Sequence, residues 1–440
     1  MLSASGREQH DWSADYRVFS RGRFDVSDMF GLVQDRLLER LPVGERVVTA
    51  LDDTKLHKSG TKIPGVSYQR DPMSPPFHTN FIRAQRFAQL SMVTPLDVSQ
   101  PTAARCFPVD FRHVPPATRP SAKASEKELA EYKGKQKEQN LSLAGARIIR
   151  EFRAALDSRA AAERRLVVCV DGSYTNQIVL KNLPERTTLI GRIRKDAKFF
   201  SLPSTTHSGP GRPRIYGDRL PTPEQLRQDD SLPWQNTRVW ASGKDHDCQF
   251  KSIAPVFWKK SGLAQPLRLI VIRPLGYRLA SKSRLLYRQP AFLVCTDLDL
   301  PLQTVIQDYF RRWDIEVNHR DEKQLIGVGQ AQVRSPRSVE LVPAFAVATY
   351  SMLLLASGLC RGFATTEPVF PLPKWRGKAV AQQQRLTTGQ ILTDFRRSSP
   401  ADRSHATLPN FDHFEVHVAR HLKCPQSLLS RDTAIAYAMQ

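Results

Sequence analysis

No two cysteines in this chain form a CxxC pair: Cys106, Cys169, Cys248, Cys295, Cys360 and Cys424 are scattered along 440 residues. That spacing argues against a zinc ribbon and a disulfide scaffold and fits a reducing cytoplasm. The amino-terminal stretch MLSASGREQHDWSADYRVFSRGRF lacks the apolar centre of a signal peptide. Long apolar runs are missing too, with one exception from Ala344 to Cys360. That run carries Thr349, Tyr350, Ser351 and Ser357, which predicts a buried core helix rather than a membrane span. There is no internal repeat. Negative charge is also short, with 43 acidic residues against 65 Lys and Arg, which leaves a net charge of +22. Such an excess calls for a polyanionic partner, and nucleic acid is the commonest. The competing explanation is a generally basic protein whose arginines are merely solvated. The hydrophobic content of 40% is that of an ordinary globular chain.

Residues 1–45 read as helical. Arg46-Val-Val-Thr-Ala-Leu then gives a short β-rich run that the pattern ends at Asp52-Asp53-Thr54. A Pro-, Gly- and Ser-rich loop is expected from Lys58 to His78, followed by strands at Phe87–Val93 and Cys106–Phe111. Ser125–Leu156 is helical and charged, and the alternation of Lys127, Lys133, Lys135 and Lys137 with Glu marks a solvated helix face. The strongest strand signal, Arg165-Leu-Val-Val-Cys-Val, again ends on an acid, in Asp171-Gly172-Ser173. Another strand is expected at Thr187–Ile193. Turn signals and β-type runs alternate from 199 to 300. After them, Leu302–Ile326 reads as one long amphipathic helix stopped by Gly327 and Gly329.

Within that helix Tyr309, Arg312, Glu316 and Lys323 are spaced by three, four and seven residues. At roughly 100° per residue they fall within about a 60° arc of one face. Three of them are ionisable where a packing stripe would be apolar. By itself the pattern fits a salt-bridged solvent face, since Arg312 and Glu316 stand at i,i+4. Two strands ending in carboxylates change the balance, because ligands of α/β sheets bind at the carboxyl ends of strands. Asp52, Asp171 and Glu316 are hard oxygen donors of the kind that suit Mg²⁺ or Mn²⁺. Two such ions can support phosphodiester chemistry. An isolated Asp after a strand is more often a turn or helix cap.

Taken together, Asp52-Asp53-Thr54, Val170-Asp171-Gly172 and Tyr309-x2-Arg312-x3-Glu316-x6-Lys323 resemble the DDE transposases of bacterial insertion sequences that carry the YREK signature. The resemblance covers about residues 45–360. It implies an α/β fold: a ribonuclease-H-like mixed-sheet core (46–198 and 301–362), a β-rich insertion (199–300), and helical segments at 1–45 and 363–440. It further implies that Asp52, Asp171 and Glu316 hold two Mg²⁺ or Mn²⁺ ions, and that Tyr309, Arg312 and Lys323 bind DNA phosphates. Asp53 competes with Asp52 as the first ligand, although the family's Asp-x-Thr pattern favours Asp52. In relatives a tryptophan of the insertion stacks on a flipped base, and Trp234, Trp240 and Trp258 are the candidates here. The implied partners are double-stranded transposon ends and target DNA, with no membrane. Oligomerisation on paired ends and a nucleoid-associated, cytoplasmic location also follow from the resemblance. A nuclease that never joins strands, or an idle repressor, would carry much of the same sequence. The segment before the first strand is short for an end-recognition domain and shows no helix-turn-helix, so a truncated start is also compatible.

Two weaker motifs remain. Pro210-Gly-Arg-Pro-Arg214 resembles an AT-hook, and His413, His417 and His421 recur at metal-compatible spacing without a carboxylate or Cys partner.

Overall fold

The structure is a computed structural model and describes residues 13–398, apart from 22–23, 61, 72–73, 76, 99–102, 160, 204–213, 242–243, 263–264, 279–282 and 370–384. Nearly all of the AT-hook-like motif, the histidine row and Cys424 therefore lie outside the described residues.

Two helices come first, α1 (Ser13–Arg21) and α2 (Val26–Arg40). Asp25 starts α2 by accepting the Ser27 N–H at 2.9 Å, which satisfies one of the donors that a helix leaves open at its start. The strands β1 (Val47–His57), β2 (Ser67–Arg70), β3 (Phe81–Pro95) and β4 (Ala104–His113) follow. After them come α3 (Glu126–Glu138), α4 (Leu141–Asp157), β5 (Leu166–Val170), α5 (Gln177–Lys181) and β6 (Thr187–Arg192). α3 buries none of its residues, as its alternating charges predict. Every residue of β5 is fully buried, which is what an uninterrupted apolar run of five dictates for a strand covered on both faces.

Residues 199–300 contribute β7 (Phe199–Phe200), α6 (Pro223–Gln228), β8 (Gln235–Ala241), β9 (Lys244–Trp258), β10 (Leu267–Ile272), β11 (Gly276–Tyr277), β12 (Leu286–Tyr287) and β13 (Ala291–Cys295). Apart from the small β11–β12 hairpin, these strands continue the core sheet edge to edge. The order is β2-β3-β1-β5-β6-β13-β10-β9-β7, with β4 also on β3 and β8 also on β9. β1–β5 and β5–β6 are parallel, and the remaining pairs are antiparallel. This is the mixed α/β sheet of a ribonuclease-H-like core. α4 and α5 cover one face through Ile148, Ile149, Phe152 and Val179. The other face is covered by α7 (Leu302–Arg311) and α8 (Asp314–Asp321), through Val305, Ile306 and Ile315.

Two elements depart from the sequence pattern. β1 does not stop at Asp52-Asp53-Thr54 but runs on to His57. Its parallel partner β5 ends at Val170, while β3 keeps pairing with it out to Ala84, and Thr54 and Leu56 stay buried on one face. The single long helix is also divided. At Arg312 and Trp313 the backbone tightens to φ/ψ of −51°/−32° and −56°/−24°, and Arg312 and Trp313 donate to carbonyls three residues back, at 3.2 Å each. That is 3₁₀ geometry. A π turn, Glu322–Ile326, follows α8, and Gly327 ends it in the left-handed region at φ 74°. The apolar run predicted as a core helix is α9 (Pro336–Arg361). By length and composition it could cross a membrane, but here it packs against β4, α2 and α1. Phe345 meets Phe19 edge-on at 5.3 Å. α10 (Thr388–Ser398) closes the described chain.

At the end of the sheet where β1 begins, Asp308 of α7 is wholly buried. It accepts from Arg46 Nε at 3.1 Å, and Arg311 lies 3.5 Å away. Removing one partner of a buried pair leaves a charge without compensation. Asp308→Ala should lower the unfolding free energy in urea by roughly 3 kcal/mol. A loss below about 1 kcal/mol would place this cluster among the weak surface pairs.

Candidate active site

Leu51 of β1 pairs with Val170 of β5 in parallel, so the next residue on each strand, Asp52 and Asp171, leaves the pairing at the same level. Neighbouring strands lie about 4.8 Å apart, and side chains alternate between faces. Val48 and Ala50 of β1 pack with α7 and α8, whereas Val47 and Leu51 pack on the α4 side. Alternation therefore sends Asp52 to the α7–α8 face and Asp53 to the α4 face.

Arg312, at the break between α7 and α8, reaches this level. Its Nη1 donates to Asp52 Oδ2 at 3.0 Å, and its Nη2 donates to Glu316 Oε1 at 3.2 Å. One guanidinium thus ties an acid of the sheet to an acid of the helix. Asp52 also accepts the Asp53 N–H at 2.8 Å. Asp171 is held differently: Ser173 donates to both of its carboxylate oxygens, from N–H at 2.9 Å and from Oγ at 3.1 Å, and Thr175 Oγ1 donates to its carbonyl at 2.7 Å. Asp171 therefore does make the local turn that an isolated Asp would make, and it makes it beside a second acid. Gly191 of β6 permits the turn, because a Cβ there would lie 2.2 Å from Thr175 Oγ1.

The acids crowd one another. Burial pushes the Asp52 carboxyl up to about 7; Arg312 opposes the shift, and Asp171 and Asp53 add to it. Burial likewise raises Asp53, against the pull of Arg86, and raises Glu316, against the pull of Arg312. Burial alone would lower the Arg312 pKa, but attraction to Tyr309, Asp52 and Glu316 raises it, so the group stays charged. Tyr309 is half-buried, its ring centroid 5.7 Å from the Arg312 guanidinium carbon. Lys323 is exposed on the π turn. Partial desolvation by its surroundings lowers its pKa, against attraction from Glu322 and Asp53.

The donor set fits a hard divalent cation in kind: three carboxylates, with a guanidinium standing as counter-charge between two of them. As the side chains sit, no group of three His, Cys, Asp or Glu among the described residues is gathered closely enough to hold an ion. Arg312 occupies the space between Asp52 and Glu316, and it has to leave before they can share one.

Three features went unseen in the sequence. Trp240 and Trp258 are buried and Trp234 is partly buried, with Lys251 Nζ 4.5 Å from its ring centroid. Among the described residues the exposed tryptophan is Trp313, three residues before Glu316, with Arg288 just past β12 5.7 Å from its ring. Gln89, opposite Asp52 on β3, meets the buried Glu322 of the π turn. A helical position otherwise given to charge on a solvated face carries no signal that would have marked Glu322.

A family described as DDE superfamily endonuclease matches residues 2–250. The chain belongs to that family. Asp52 and Asp171 lie within the matched residues, and the stretch from Tyr309 to Lys323 lies beyond them. No curated protein matches the chain. Membership of a DDE endonuclease family implies a DNA substrate, cut by a nuclease or transposase, in chemistry that typically uses divalent metals.

Glu322 offers a check on this electrostatic picture away from the acids themselves. Burial raises its carboxyl to about 8, above the 4.5 of a free glutamate. Between those values the folded state holds a proton that the unfolded state has lost, so stability is full below about 4.5 and falls as pH rises through 8. Wild-type protein should lose thermal stability from pH 5 to pH 9, and Glu322→Gln should flatten that slope. Parallel slopes in the two proteins would show that Glu322 is solvated and ionised.

Proposed function

We propose that this protein is a transposase of the YREK-signature insertion-sequence kind, in which Asp52, Asp171 and Glu316 are the metal ligands and catalytic acids. The observation that carries the proposal is the Arg312 fork between Asp52 and Glu316, formed where Asp171 leaves the neighbouring strand at the same level as Asp52. Salt bridging along a solvated helix would not draw in an acid from the sheet. In this reading residues 46–198 and 301–362 form the catalytic core and 199–300 an insertion fused to its sheet.

Two Mg²⁺ or Mn²⁺ ions held by the three acids would supply Lewis acidity toward the attacking and leaving oxygens of a phosphodiester. The chain's own side chains do the rest. Arg312 changes partners, releasing Asp52 and Glu316 and taking a DNA phosphate with the same two-nitrogen fork. Lys323 adds a point charge to the backbone and Tyr309 a hydroxyl donor, contacts that set register rather than sequence. Ser173 and Thr175 keep Asp171 from swinging away. The reaction is hydrolysis of a phosphodiester at each transposon end. The freed 3′-hydroxyl then attacks a target phosphodiester, so that one P–O bond forms as another breaks. Two ends held together require more than one copy of the chain.

Asp171→Asn and Glu316→Gln should each abolish Mg²⁺-dependent strand cleavage while DNA binding changes by less than about threefold, since each removes a charged ligand at constant size. Asp52→Asn should be inactive and Asp53→Asn should still cut, because only Asp52 shares a face with Glu316. Full cleavage by Glu316→Gln would end the assignment, and the reverse result for the aspartates would move the first ligand by one residue. A product joined to target DNA separates a transposase from a nuclease that stops at hydrolysis.

Lys323→Ala should weaken binding to cleavable ends while leaving the thermal midpoint unchanged. Binding should weaken steeply with salt, as counterion release requires. Unchanged end binding together with a large fall in midpoint would return Lys323 to a structural role.

A further inference from the structure

Past the acids, β4 pairs with β3 as far as Phe87 and β1 as far as Ala84, and beyond that β3 continues with β2 as a two-stranded ribbon. Paired residues on neighbouring strands share a face, so the registers Asp52↔Gln89, Thr54↔Phe87 and Leu56↔Gln85 carry the Asp52 face outward along β3. Beyond them, Tyr68↔Arg83 and Arg70↔Phe81 stand on that same face. Tyr68 is 72% exposed and Phe81 65%. The Arg83 guanidinium lies 5.6 Å from the Tyr68 ring centroid while donating to Gly60 O at 3.2 Å. The tip is held in shape by its own bonds, Asp71 N–H to Asn80 O at 2.8 Å and Asn80 N–H to Ser74 Oγ at 2.9 Å. Between Lys55 and Arg86 the sequence holds six Lys and Arg and one acid, Asp71.

Single exposed aromatics are ordinary on protein surfaces. Two rings alternating with two arginines on one face of a two-stranded ribbon are a different arrangement. Flat π faces stack on unpaired bases of any sequence, and the interleaved cations meet the phosphates between them. We infer that the Tyr68–Arg70–Phe81–Arg83 face binds an unpaired DNA strand leading away from the cleavage site. The identity of the polymer rests on the DNA-cleaving function proposed above. Phe81 lies eight residues along β3 from the partner of Asp52, roughly 26 Å at about 3.3 Å per residue. That is about eight nucleotides at the ~3.4 Å spacing of one DNA strand. Phe87 and Leu56, midway along this face, are covered by Val328 and α9. The strand therefore crosses that cover before it reaches the rings.

The test is fluorescence anisotropy with the full chain, using labelled oligothymidylate and a duplex of equal length across a salt series. The Tyr68→Ala, Phe81→Ala double variant should lose at least about tenfold in affinity for oligothymidylate and less than about twofold for duplex, with the thermal midpoint unchanged. Tyr68→Phe should bind as wild type, and Arg70→Ala should reduce the salt slope by about 0.7. Wild-type oligothymidylate binding by the double variant would overturn the inference. So would equal losses on single strand and duplex, or a change in sedimenting mass that marks the face as a contact between copies. A wild-type chain that cuts no DNA, alongside the selective loss, would sink the transposase proposal and leave this face standing.

Discussion

β1 and β5 run side by side in parallel, and that pairing is the constraint from which the site follows. It ends one strand at Val170 and carries the other past Leu51, so two carboxylates leave that pairing at the same level. Everything nearby adjusts to that placement. Gly191 yields space for the Thr175 hydroxyl, Ser173 holds Asp171, and the helix covering the sheet tightens at Arg312 so that its guanidinium can reach down.

Arg312 is the electrostatic consequence of that convergence. Burial raises the Asp52 carboxyl, and the neighbouring Asp171 and Asp53 add to the shift. A cation is required, and in this conformation the chain provides its own. The site is locally acidic within a protein of net charge +22, and a basic chain of that kind attracts a polyanion.

Much of this was legible in the sequence because it depends on local signals. Leu166–Val170 reads as a buried strand, and the Asp-Gly that follows reads as its end. Tyr309, Arg312 and Glu316 stay in contact across the helix break, whereas Lys323 lies on the π turn, where Glu322 and Asp53 are the acids that act on it. The parts that were not legible depend on long-range pairing. Nothing local says that β1 continues to His57, since only β3, some thirty residues on, supplies the partner. Asp308 looks like one more charge on an amphipathic helix until Arg46 meets it from 262 positions away. The helix break is invisible because helical periodicity runs straight through Arg312 and Trp313. Strands β8 and β9 bury Trp240 and Trp258, which is the ordinary place for a tryptophan, and Trp313 at the helix break is exposed.

The central claim is that Asp52, Asp171 and Glu316 come together around metal. It is tested most directly by replacing Mg²⁺ with Fe²⁺ in the DNA-bound protein, adding ascorbate and peroxide, and mapping the resulting polypeptide breaks by mass spectrometry. Hydroxyl radicals formed at a bound ion cut the backbone beside it. The account predicts breaks confined to the neighbourhoods of Asp52, Asp171 and Glu316 and suppressed by excess Mg²⁺. Breaks elsewhere with none at these three positions, or a pattern indifferent to Mg²⁺, would contradict it.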